Sequence, residues 1–80
     1  MECGIPQELL ELRYEGTPPT REELRLLRLL SKGYTVKSAA TVMGKGWSTT
    51  KRQMQIVRAR LGAETHTQAV AIAVRKGLIP

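Results

Sequence analysis

The sequence predicts an all-α fold, and three features of its 80 residues lead to that expectation. Apolar residues recur at the spacing of an α-helix, so that each run has an apolar side. The chain has 2 Tyr, 1 Trp and no Phe, so its interior must be built from aliphatic side chains. Threonines that can cap helices precede the apolar runs, and glycines follow them. A chain of this length makes one domain with a small core, which short helices with local contacts can form.

Residues 1–16 form an N-terminal extension with one short predicted helix. Pro6 suits a first helical turn, Glu8 favours the positive end of a helix, and Gly16 ends it. Its leucines need a surface to cover, so we expect them to pack against the domain or a second subunit; they are Leu9, Leu10 and Leu12. A stiff Thr-Pro-Pro connector then begins the main domain, residues 17–80.

Local signals place the next two helices. Thr20 and Glu23 predict a capping box, and the leucine-rich helix that it opens runs to about Lys32. Thr35 can cap a third helix from Val36 to Met43. A break with two glycines separates this helix from the next.

The stretch from Ser48 to Leu61 predicts a helix with two different sides. The inward side comprises Thr50, Met54, Val57 and Leu61. The other side carries long hydrogen-bond donors and no acid, namely Lys51, Arg52, Gln55 and Arg58. In a DNA groove, Arg and Lys pair with guanine and Gln pairs with adenine, although a merely solvated helix side has the same composition. A helix, a glycine-containing turn and a second helix form the unit that places its second helix in a groove.

Thr65 and Gln68 predict a second capping box for the last helix, which runs to about Lys76. Its residues 69–74 are alanine, valine and isoleucine only. A helix that is apolar all round is covered on more than one side. One side of the last helix would face the domain core, and the other would be covered by either a second subunit or the N-terminal helix.

The net charge of +6 is unevenly distributed along the chain. All seven acids are Glu, and none lies between Leu24 and Ala63. That stretch holds nine basic residues, which are Arg25, Arg28, Lys32, Lys37, Lys45, Lys51, Arg52, Arg58 and Arg60. Such a block attracts polyanions such as nucleic acid, and also fits acidic protein partners. A membrane surface is not favoured, because no basic segment has a broad apolar side with Trp or Phe.

The sequence lacks the residues that several classes of protein function require. One His, one Cys and no Asp do not supply a catalytic site, a metal site or a cofactor site, so we expect no enzyme. The single Cys3 cannot form an internal disulfide, and no signal peptide or membrane-spanning run is present. We therefore expect a cytoplasmic, nucleoid-associated protein in which His66 is solvated and Trp47 is a packed turn residue.

Four segments resemble the LuxR-type helix-turn-helix domains and, among them, the small stand-alone GerE-like regulators. The segments are TREELRLLRLLSKG at Thr20–Gly33, TTK at Thr49–Lys51, RLG at Arg60–Gly62 and TQAVAIAVRKGLI at Thr67–Ile79. The distance from Gly44 to Gly62 matches that pattern without a gap. The resemblance implies a four-helix DNA-binding domain, here preceded by a short extra N-terminal helix. It also implies dimerisation through the last helix and insertion of the helix at Ser48–Leu61 into the major groove.

The resemblance implies roles for individual residues. Bases would be contacted by Lys51, Arg52 and Gln55. The DNA backbone would be contacted by Thr35, Lys37, Thr49 and Arg58. Dimer contacts would fall on Ala69, Ala73 and their neighbours. The implied partner is double-stranded DNA, bound by a homodimer without a cofactor.

The chain departs from the family pattern at the turn. Lys45 replaces a usual buried Ile, Gly46 a usual Ser cap, Thr50 a usual Val and Gln53 a usual His. A lysine is costly to bury unpaired, so we expect Lys45 to point outward to a phosphate, with Trp47 covering the gap and Ser48 acting as the cap.

The sequence thus predicts a sequence-specific double-stranded DNA-binding transcriptional regulator that acts as a homodimer. The alternative is a protein-interaction module, either an antagonist that pairs with a larger LuxR-type regulator or an adaptor that binds RNA polymerase. The apolar last helix and the altered turn motivate it. Nonspecific nucleoid or RNA binding is a weaker third option, because the aromatic platforms of single-strand binders are missing.

Overall fold

The computed structural model describes residues 7–80, which form five helices and no strand. They are α1 (Gln7–Tyr14), α2 (Arg21–Ser31), α3 (Val36–Met43), α4 (Trp47–Leu61) and α5 (His66–Arg75). The all-α expectation is confirmed for this part of the chain. None of these helices is long and apolar enough to cross a membrane. The expectations for Cys3, Pro6 and the side chains of Glu8 and Leu10 lie outside what the structure describes.

The central helix is α4, which contacts each of the other four. The helices α2, α3, α4 and α5 together enclose an aliphatic core. Its largest fully buried side chains include Leu26, Leu27, Met54 and Val57. Thr50 is also fully buried. Its hydroxyl donates to the Gly46 carbonyl at 3.0 Å, so this polar group is not left unsatisfied in the core.

The predicted caps of α2 and α3 are confirmed. The Thr20 N–H donates to Glu23 Oε1 at 3.0 Å, and the Glu23 N–H donates to Thr20 Oγ1 at 3.2 Å. Thr35 and Ser38 make the same exchange at the start of α3. These bonds satisfy helix N–H groups that have no partner within their own helix.

The starts of α4 and α5 differ from the predictions. The Gln68 N–H donates to Thr65 Oγ1, as in a capping box. The second bond differs, because Gln68 Oε1 accepts from the N–H of Glu64 at 2.7 Å and not from the N–H of the cap residue Thr65. The N-cap of α4 is Gly46, and no side chain caps this helix. The prediction of Ser48 as the cap is wrong, because helical geometry begins before it.

Arg60 connects the N-terminal part of the chain to the last turn of α4. Its Nε lies 2.8 Å from Glu23 Oε1, in an ion pair whose N–H is not aligned as a hydrogen bond. Its NH1 donates to Thr17 Oγ1 at 2.8 Å, and its guanidinium lies 4.9 Å from the centre of the Tyr14 ring. Its backbone carbonyl accepts the Gly16 N–H at 3.1 Å. One side chain therefore holds α1, the connector and α2 against α4.

Two of the leucines of α1, Leu9 and Leu12, are not packed against the domain. Leu9 is 56% exposed and Leu12 is 85% exposed, so the domain is not the surface that these two cover. Their packing against a second subunit stays a prediction. Among the described helices, α1 contacts α4 alone. The reading in which the N-terminal helix covers the last helix is therefore wrong.

The substitution Glu23→Ala is expected to lower the free energy of unfolding by about 3–5 kcal/mol, because it leaves the Arg60 guanidinium without its counter-charge in a partly buried position. It also removes the carboxylate half of the capping box. Urea unfolding followed by circular dichroism measures the change. The matched control is Glu22→Ala, since Glu22 pairs with Lys45 at an exposed site and its loss should matter little. Equal losses in the two variants would contradict the structural role of the Glu23–Arg60 pair.

We expect His66 to make the stability of the fold depend on pH near neutrality. It is the first residue of α5 and, with residues of α2 and α3, lines a cleft of about 400 Å³. His66 is exposed, as expected, but partial burial of its imidazole, and secondarily the nearby Arg58 charge, lowers the pKa of His66. The folded chain therefore binds this proton less readily than the unfolded chain, where the pKa is about 6.5.

The free energy of unfolding should thus be flat above the unfolded-state pKa of His66 and should fall as the pH drops through it. Urea unfolding at a series of pH values between neutrality and weak acid measures this slope. The variant His66→Gln should flatten it, because this is the only histidine in the chain. A slope that persists in the variant would assign the effect to another group.

Candidate nucleic-acid interface

A short turn fixes α4 against α3. Gly44 ends α3 in the left-handed region, at φ +71°, which a side chain would disfavour. The Gly44 N–H donates to the Thr41 carbonyl at 3.1 Å, and the Lys45 N–H donates to the Ala40 carbonyl at 2.9 Å. These two bonds satisfy backbone carbonyls in the last turn of α3. The helix α4 then starts directly after Gly46.

The first two turns of α4 present a basic surface without an acid. The exposed residues there, called the α4 tip below, are Trp47, Ser48, Thr49, Lys51 and Arg52. Thr50 and Met54, on the opposite side, are fully buried. Among the side chains that the structure describes, which do not include those of Glu8 and Glu11, neither Lys51 nor Arg52 takes part in an ion pair. Two of the three residues predicted to contact bases therefore lie together on an open surface.

Gln55, the third of these residues, lies in a different environment. It is half-buried, and its Oε1 is enclosed without a hydrogen-bond partner. Recognition of adenine requires both the amide oxygen and the amide nitrogen of a glutamine. In this conformation the oxygen is enclosed, so Gln55 does not present both amide groups on the open surface that holds Lys51 and Arg52.

The outward side of the C-terminal half of α4 is covered by α1. Ala59 is fully buried, although it lies about 160° around the helix from the core residues Val57 and Leu61. The helices α2, α3 and α5 lie on the core side, so α1 is the helix that remains to cover Ala59. The bond from the Gly16 N–H to the Arg60 carbonyl fixes the end of α1 there. The open part of α4 is thereby reduced to the α4 tip.

Three of the predicted backbone contacts are exposed: Thr35, Lys37 and Thr49. Thr35 and Lys37 lie at the start of α3, and Thr49 lies on the α4 tip. The Thr35 hydroxyl accepts the Ser38 N–H at 3.0 Å, so it already serves as a cap.

The other two predicted backbone contacts are engaged within the chain. Lys45 Nζ lies 2.9 Å from Glu22 Oε2, and this ammonium lowers the pKa of the Glu22 carboxyl. Lys45 thus points outward, but a phosphate would have to compete with a carboxylate for it. Arg58 donates from NH1 to the Glu64 carbonyl at 2.8 Å, and its Nε is enclosed. Arg58 therefore holds the connection between α4 and α5.

The two alanines predicted as dimer contacts belong to the core. Ala69 and Ala73 are 0% exposed within the single chain, so a second subunit cannot touch them in this arrangement. The exposed apolar positions of α5 are Ala71 and Val74, the latter 45% exposed. This corrects the residue assignment, while dimerisation itself stays a prediction.

Trp47 is not the packed turn residue that the sequence led us to expect. It is 45% exposed. Its ring centre lies 5.5 Å from Lys51 Nζ. The spacing of four residues already indicates that these side chains are neighbours on a helix, so the sequence held a signal for this contact.

No group of His, Cys and acidic side chains among the described residues could hold a metal ion. The interface therefore consists of hydrogen-bond donors, positive charge and one indole ring. This set of groups can bind anions and base edges.

Comparison with known proteins relates the chain to a regulator. It is similar to a protein of Bacillus subtilis (strain 168) named transcriptional regulatory protein YdfI, with 31% identity over 86 aligned residues. The alignment covers 99% of this chain and 40% of that protein, so the chain spans about two fifths of the length of the relative that it matches. No protein-family model and no solved structure matches the chain.

Proposed function

We propose that this chain binds double-stranded DNA sequence-specifically and regulates transcription as a homodimer, as the LuxR-type and GerE-like regulators that it resembles do. The observation that carries the proposal is the α4 tip, an exposed basic surface at the start of the helix that follows a short turn. The name of the bacterial relative supports the regulatory role. No catalytic role is proposed.

The α4 tip has the chemistry for direct contact with bases. The major groove admits an α-helix, and guanine presents there two acceptors that a Lys or Arg side chain can reach. Lys51 and Arg52 are the exposed donors at this point of the helix. Gln55 can join them only if its side chain turns outward. In the conformation described, the base that these exposed donors would recognise is therefore guanine.

Contacts with phosphates fix the register of the helix on the duplex. Lys37 and Thr49 are exposed on either side of the turn, and Lys37 forms no ion pair with the acidic side chains that the structure describes. The chain also has no acid between Leu24 and Ala63 that would repel a phosphate backbone. These contacts supply affinity without sequence information.

A second candidate is a protein-interaction module that pairs with a larger regulator or with RNA polymerase. The exposure of Leu9 and Leu12 on α1 favours it, because two neighbouring leucines face solvent. A complex with a protein partner that survives charge reversal of Lys51 and Arg52 would identify this function instead.

Selection of bound duplexes from a random-sequence pool should enrich an inverted repeat with half-sites about 10 base pairs apart, centre to centre. On the enriched duplex, Arg52→Ala should reduce the preference over random DNA, because it removes a contact to bases. Lys37→Ala should weaken all sequences alike, because it removes a contact to a phosphate. Fluorescence anisotropy of labelled duplexes measures both effects.

If a dimer neutralises ~8 phosphates, the log-log slope of affinity against salt should be roughly −7 for the wild-type chain, and Lys37→Ala should make it shallower. A slope near zero would contradict the electrostatic part of the proposal. Identical behaviour of the Arg52 and Lys37 variants would contradict the division between base and phosphate contacts.

The substitution Val74→Arg should convert a dimer into a monomer while the helix content stays unchanged. In a two-fold symmetric interface a residue meets the same surface of its partner, so the new charge is introduced twice. Sedimentation equilibrium measures the mass. The matched control is Val42→Arg on α3, because Val42 is 49% exposed and Val74 is 45% exposed. A dimeric Val74 variant, or a wild-type monomer, would contradict dimerisation through α5.

A further inference from the structure

The indole of Trp47 is a large apolar surface on the α4 tip that the fold does not cover. It is the single Trp of the chain and is 45% exposed. The neighbouring exposed side chains, Ser48, Lys51 and Arg52, are all polar. An aromatic side chain of this kind in the middle of a polar surface is the type of residue that dominates binding energy once it is covered.

Trp47 and Lys51 project from the same side of α4. They are four residues apart, and Lys51 Nζ lies 5.5 Å from the centre of the indole ring. This distance allows a cation–π attraction, which holds the two side chains next to each other. Along the helix axis they are separated by about 6 Å. That distance corresponds to roughly two base-pair steps of ~3.4 Å in a duplex.

The groove offers an apolar group that matches this indole. Of the groups that base pairs present in the major groove, the thymine 5-methyl is the apolar one. When Lys51 donates to a guanine, the ring of Trp47 faces base edges one or two steps away. A methyl group at that position would lie against the ring instead of against water.

We propose that Trp47 is a specificity-determining residue that packs on a thymine methyl group next to the guanine bound by Lys51. The inference rests on the proposed function, because it assumes that α4 enters the major groove. It adds a second kind of base contact, which is apolar instead of hydrogen-bonded. It also predicts a preference for thymine that depends on the exposed first residue of α4.

The test uses two duplexes of two helical turns each. One strand alternates guanine and thymine in the first duplex, and guanine and uracil in the second, so the duplexes differ only in the 5-methyl group. Anisotropy of an end label measures binding of the whole chain. The emission of the single Trp measures whether the indole is covered.

For the wild-type chain, the thymine duplex should change the Trp47 emission and should bind about fourfold more tightly than the uracil duplex, which is the effect of burying one methyl group. Trp47→Ala should bind both duplexes equally, and Trp47→Phe should keep part of the difference. Leu12→Ala, which removes an exposed leucine from α1, should keep all of it. Circular dichroism checks the helix content of each variant.

The outcomes separate this inference from the proposed function. Binding of both duplexes with unchanged Trp47 emission would overturn the inference and leave DNA binding intact. A methyl preference that persists in Trp47→Ala would do the same. Absence of binding to either duplex, seen by anisotropy at low salt, would overturn the proposed function as well. The wild-type comparison of the two duplexes decides the matter even if Trp47→Ala does not fold.

Discussion

The buried contact between Glu23 and Arg60 is the constraint on which the arrangement of the other helices depends. One carboxylate oxygen, Glu23 Oε1, accepts the N–H that opens α2 and also faces the guanidinium in the last turn of α4. The same guanidinium binds Thr17 and lies over the ring of Tyr14. The connector, α1 and the start of α2 are thereby held at one end of the central helix. The opposite end of α4 is left open, and the candidate interface lies there.

This arrangement divides the cations of α4 into two sets. Arg58 and Arg60 are used inside the chain, where they bind a carbonyl and a carboxylate. Lys51 and Arg52 face solvent at the other end of the helix. The net charge of +6 therefore overstates the number of positive groups available to a partner. The electrostatic attraction of a polyanion depends on the second set and on the exposed lysines of the neighbouring helix.

The helices could be predicted from the sequence because their signals are local. The bounds of α3 and the capping box of α2 depend on residues three or four positions apart. The course of α1 could not be predicted, because it depends on bonds such as that between Arg60 and Thr17, which are 43 positions apart. Nor could the core-facing residues of α5 be identified, since a run of only apolar residues does not show which side faces the core. Ala69 and Ala73, which the resemblance assigned to a dimer interface, lie on that core side.

The position of α1 also limits how α4 could meet a duplex under the proposed function. A helix of 15 residues is about 22 Å long, whereas the major groove is about 8.5 Å deep. Because α1 covers the outward side around Ala59, the C-terminal half of α4 cannot lie along the groove floor unless α1 moves. Only the first two turns of α4 would then lie along the groove floor, and in recognition helices it is commonly the N-terminal residues that contact base edges. Entry in this orientation brings Lys51, Arg52 and Trp47 to the bases and leaves Gln55 behind them.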